Sequence, residues 1–156
     1  MLFSLYLLLK KIKHTMNLYP FLQKFHSGWA YLALLLLAVA VVNALIGFTS
    51  KKEFIAKDRK IALLGLIGAH VQLLVGLILY FVSPLGLNGF NMKDAAARLT
   101  SLEHPLINVI ALVLITIGWS KHKKAATSEL KFKSFAVFYT LGLLLILARI
   151  PWHLWF

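Results

Sequence analysis

The chain has 156 residues, 60% of them apolar and only 14% charged, and its mean hydropathy is +0.81. A soluble domain averages about half apolar and a quarter charged, and one this small leaves much of its surface wet, so the composition argues against an aqueous enzyme and for a membrane protein. The 17 Lys and Arg against 5 Asp and Glu give a net charge of +12, which in a membrane protein reads as cations kept on one side of the bilayer rather than as nucleic-acid binding. With no cysteine, there is no disulfide, thiolate metal site, cysteine-held iron–sulfur cluster or covalent c-type haem.

The N-terminal stretch MLFSLYLLL is too short to span a bilayer. Its cations, Lys10, Lys11 and Lys13, follow the apolar run, the reverse of a secretory signal. Residues 1–15 therefore read as an extension, either interfacial or upstream of a natural start at Met16. A first span is expected over 29–48, with Asn43 its only strongly polar interior side chain. A second covers 61–82 and is closed by Ser83 and Pro84. The connection that follows carries turn residues (Gly86, Asn88, Gly89, Asn91) and then a short helical run, MKDAAARL.

A third span covers 102–119, with Thr100 or Ser101 as N-cap and Pro105 in the first turn. A fourth covers 135–150 and stops at Pro151. Loops of about a dozen to twenty residues between spans imply antiparallel neighbours. The expected fold is all-α: a four-helix transmembrane bundle running up-down-up-down. Lys51, Lys52, Lys57, Arg59 and Lys60 mark the first connection, and Lys121, Lys123, Lys124, Lys131 and Lys133 the third. Cation-rich short loops face the cytoplasm, which places both termini outside, in a multi-pass protein of a bacterial inner membrane.

Function must then come from the few ionisable groups within the spans, which are costly there and tend to face a site. His14 and His122 lie in basic flanks and read as solvated. His153, beside Trp152 and Trp155, reads as an interfacial anchor. His26, His70 and His104 fall on three different helices. Two imidazoles from facing helices are a common way to hold haem b without covalent bonds, and the alternative for each is a buried donor paired with a carbonyl.

At about 1.5 Å per residue, His70 lies about 14 Å, His104 about 22 Å and His26 about 33 Å above the inner ends of their spans, so no pair is level. His104 is the first choice as iron ligand, because Ser101, His104 and Asn108 share a face and Asn108 can orient the imidazole. His70 is preferred to His26 as the second ligand on expected burial. Arg149 is expected to pair with Glu103, or else to meet a haem propionate. Gly65, Gly68, Ala69, Gln72 and Gly76 form a small-residue stripe suited to packing within the bundle or to oligomerisation, with His70 on the opposite face. There is no metalloprotease, phosphate-loop or nucleophile-elbow motif, and no paired intramembrane carboxylate.

The strings HSGWAYL, AKDRK, HVQLLVGLILYFVSP, RLTSLEHPL, LITIGWSK and ARIPW resemble those of small bacterial four-helix integral membrane proteins catalogued as cytochrome b-like. The resemblance covers nearly all of residues 18–152. It implies electron transfer and puts weight on His26, His70, Gln72, Glu103 and His104. The expected function is thus that of a redox carrier rather than a stand-alone enzyme, with a bis-His haem b and a quinone or a redox protein as exchange partner. The alternative is a haem-free structural or accessory subunit of a membrane complex, docking through the glycine stripe.

Overall fold

The computed structural model describes the backbone of residues 2–155 and the side chains of residues 18–155. Helix α1 runs Leu2–Thr49 and α2 runs Ala56–Val82. A 3-10 turn, Leu87–Gly89, leads to the short α3, Ala95–Arg98. A π turn, Leu99–Glu103, joins α3 to α4, His104–Lys124. Helix α5, Ser128–Ala148, is followed by a 3-10 turn, Trp152–Leu154. The side chains of the 1–15 extension, including Lys10, Lys11, Lys13 and His14, lie outside the described residues.

Four segments are long and apolar enough to cross a membrane: Leu18–Thr49, Ala56–Val82, Ala95–Lys124 and Ser128–Ala148. They close into a four-helix bundle in which α1 packs on α2, α2 on α4, α4 on α5 and α5 on α1. Small residues make this approach possible. A Cβ added to Gly65 would lie 3.2 Å from the Cβ of Ala40, and one at Gly68 would lie 3.4 Å from the Cα of Ala33, so α2 seats its glycine stripe on α1. Leu37, Ala40, Ala44, Ala62, Ile115, Phe135 and Tyr139 fill the centre. The Tyr139 hydroxyl donates to the Ala62 carbonyl at 3.1 Å, which satisfies a buried polar group across the bundle. Outward faces are apolar and bare: Leu35, Leu74 and Phe81 are each more than 60% exposed. Lipid, not water, is the solvent that such faces require.

Several boundaries differ from the sequence expectation. The connections at 50–55 and 125–127 are far shorter than expected, because the helices run on through polar residues beyond the apolar stretch. Hydropathy marks where lipid ends, and a helix continues until something caps it. For α5 the cap is Thr127, whose hydroxyl accepts from Leu130 N–H. Neither Thr100 nor Ser101 is an N-cap. Asp94 holds that role, accepting from Ala97 N–H at 2.7 Å, while the two hydroxyls donate back to the carbonyls of Ala96 and Ala97. The π turn between them precedes Pro105, whose ring nitrogen cannot donate to the carbonyl one turn back. The glycine stripe is also not a free oligomerisation face, since α1 of the same chain covers it.

Candidate functional site

A largely apolar cavity opens at the end of the bundle away from the lysine-rich connections. His26, Ala30 and Ala33 of α1 line it, with Gln72 and Gly76 of α2, and His104 and Asn108 of α4. The segment after α5 lies against it through Ile150, Pro151 and Trp155. A few convergent polar groups in an apolar cleft are the usual form of a small-molecule or cofactor site.

His26 and His104 come together here, half-buried, with ring centroids 6.3 Å apart and planes at 86°. The expected mismatch in height shrinks because α4 continues to Lys124, beyond the assumed end at Trp119. Measured from the true helix ends, the two residues differ by about 4.5 Å. Each imidazole is held from behind. His104 Nδ1 lies 2.8 Å from the Arg149 carbonyl, which can only accept, so Nδ1 carries the proton and Nε2 keeps a lone pair. Asn108 donates to the His104 carbonyl at 2.6 Å and sits 3.1 Å from Nδ1, on the shared face expected from its spacing. Gln72 donates to the His26 carbonyl at 3.1 Å, and its amide nitrogen is 3.3 Å from both ring nitrogens of His26. The Gln72 Oε1 is buried with no hydrogen-bond partner. A Cβ on Gly76 would lie 2.9 Å from His26 Cε1, so the ring occupies space that only glycine leaves.

His70 is not part of this constellation. It is exposed on the outer face of α2, with Nδ1 2.8 Å from the Leu66 carbonyl, and it does not line the cavity. The burial that favoured it over His26 is absent, because Gln72 and the glycines claim the inward face and His70 lies opposite them. Arg149 and Glu103 do pair, Nε to Oε2 at 3.5 Å, and Arg98, not anticipated, pairs with the other oxygen at 2.8 Å. His122 departs from the solvated reading. It is 3% exposed, with Nδ1 bonded to the Trp119 carbonyl and its ring against Trp119 and Phe135. His153 is exposed in the final 3-10 turn, next to Trp152, whose ring meets Trp155 at 5.5 Å. Among the described residues, no group of three or more His, Cys, Asp or Glu side chains is placed to hold a metal ion.

Gln72, on which the resemblance put weight, and Gly76, named only as part of the stripe, carried one further signal. Both fall on the stripe that must face a neighbouring helix, so a polar residue there points inward. No known protein family matches the chain, and neither a curated protein nor a solved structure matches it.

Proposed function

We propose that the chain is a b-type-cytochrome-like redox carrier of a bacterial inner membrane, in which His26 and His104 would hold the iron of haem b. The observation that carries this reading is two imidazoles from facing helices sharing one apolar cavity, 6.3 Å apart. The donor set fits the group: the cavity lining offers imidazole and no carboxylate or thiolate, and His104 presents an unprotonated Nε2 while a backbone carbonyl holds its other nitrogen. Haem bound there would supply one-electron transfer. The chain's own residues orient and insulate: Arg149 and Asn108 fix His104, Gln72 and Gly76 fix His26, and Ala30 and Ala33 keep the wall apolar. Arg98 and Arg149, now shared by Glu103, are the cations available to propionates.

Purified protein, expressed with ample haem supply and reduced with dithionite, should show a six-coordinate b-type spectrum. His26→Ala and His104→Ala should each lose haem, and His70→Ala should keep it. No haem band in the parent protein, or full retention in both cavity variants, would falsify the assignment.

A second occupant is favoured by one observation, the orphaned Oε1 of Gln72. A buried acceptor without a partner is costly, and a quinol hydroxyl would supply the missing donor. Solvent extraction of the purified protein tests this: co-purifying quinone that drops in Gln72→Leu supports it, and equal quinone in both sinks it. The accessory-subunit reading drew on the glycine stripe as a docking seam, and that stripe is engaged by α1.

A further inference from the structure

At the opposite, lysine-rich end, three helices bring three cations around one buried imidazole. Arg59 comes from α2, Lys123 from α4 and Lys131 from α5. The Arg59 guanidinium carbon and the Lys123 Nζ lie 5.8 Å and 5.4 Å from the centroid of the same Trp119 ring. Lys131 Nζ lies 5.8 Å from the centroid of Phe54. The Trp119 and Phe54 rings both flank His122, with centroids 4.4 Å and 6.1 Å away.

Charge balance at this end is uneven. Lys52 has Asp58 at 2.8 Å. Among the described residues no carboxylate lies within 4 Å of Arg59, Lys123 or Lys131. Three like charges gathered over aromatic rings repel one another unless an anion joins them, and a phosphate, with several acceptor oxygens, matches a guanidinium and two ammonium groups. Beneath them His122 is 3% exposed and hydrogen-bonded to the Trp119 carbonyl of its own helix.

We infer that Arg59, Lys123 and Lys131 form a defined site for the phosphate of an anionic lipid headgroup at the lysine-rich end of the bundle. A lipid is favoured over a free phosphate by what lies beside the cations. The same two helices that carry Arg59 and Lys123 expose Leu64, Ile67, Val113 and Ile117, apolar side chains available to acyl chains. Basic pockets between membrane helices are a recurrent form of headgroup recognition.

The full chain, purified in a zwitterionic detergent, should melt at a higher temperature in mixed micelles containing phosphatidylglycerol. Phosphatidylcholine and inorganic phosphate should have no such effect. In the triple variant Arg59→Gln/Lys123→Gln/Lys131→Gln the shift should disappear. In Lys57→Gln/Lys60→Gln/Lys133→Gln, which removes the same charge from the same end, it should persist. If the triple variant does not fold, Lys123→Gln alone should weaken half-saturation by phosphatidylglycerol roughly fivefold, read by native mass spectrometry. Equal loss in both triple variants would reduce the site to diffuse attraction and overturn it. An equal shift with inorganic phosphate would overturn the lipid as its source, and retention in the first triple variant would remove the site altogether.

Discussion

At the scale of single residues, two positions carry consequences out of proportion to their size. Gly76 is the wall against which His26 rests, and a Cβ there would meet the ring at 2.9 Å. Gly76→Val should therefore push the imidazole from its place while leaving the helix intact. The expected readout is a haem content several-fold below that of the parent protein, with far-ultraviolet circular dichroism unchanged. Unaltered haem content would mean that His26 has freedom the packing does not suggest. Asp58 works at the other end. Its side chain is 1% exposed, takes the Ile55 N–H at 3.0 Å and Lys52 at 2.8 Å, and draws in Asn43, the polar residue of the first span. Asp58→Ala removes the acceptor at the start of α2, and the loss of such a cap costs about 1–2 kcal/mol. Thermal melting in detergent should show that loss, and Asp58→Asn should recover part of it.

At the scale of elements, the helices were legible and their ends were not. Long apolar runs dictate four spans because lipid tolerates no unsatisfied backbone, and each expected span lies largely within an observed helix. Ends depend on short-range chemistry that hydropathy does not see: Asp94 rather than Thr100 as cap, a π turn ahead of Pro105, and Lys124 rather than Trp119 as the last turn of α4. Those few residues of extra helix change the relative height of His26 and His104, and so decide which imidazoles meet. The face of each residue was more legible than its depth. Spacing alone placed Asn108 with His104 and set His70 opposite Gln72, both as observed. What spacing did not tell was which of α2's two faces is wet, dry or lipid-bathed. The α1–α2 seam offers a direct test: Gly65→Leu would drive a side chain into the Ala40 and Leu36 backbone region, where even a Cβ has contacts at 3.2–3.3 Å. Overpacking of this kind costs about 1–3 kcal/mol, and it should appear as a lower melting temperature together with loss of haem, since α1 carries His26. A bundle that melts normally with that substitution would mean the seam is looser than its contacts.

At the scale of the whole molecule, charge asymmetry and cavity position speak to one another. The connections at 50–55 and 125–127, with the lysines in and beside them, lie at one end, and the histidine cavity opens at the other. Were the cation-rich end cytoplasmic, as the positive-inside rule has it, the cavity would face the outer leaflet, and the redox exchange proposed above would take place there. Single cysteines at Lys57 and at Asn88 should label from opposite sides of the membrane in intact cells. Labelling of both from outside would invert or abolish the assigned topology, and the outer-face exchange would fall with it.

The clasp between α4 and the chain beyond α5 also orders events in time. His104 is held by the carbonyl of Arg149, and Tyr31 is met by Trp155 at 4.6 Å, so residues that leave the ribosome after the fourth span finish a cavity begun by the first. A nascent chain that has emerged only as far as Ala148 owns both imidazoles but not the carbonyl that selects the tautomer of one. Loading of the haem proposed above would therefore be a late step of biogenesis, after insertion of the fourth helix. Chains stalled or cut after Ala148 should reach the membrane and yet mature poorly.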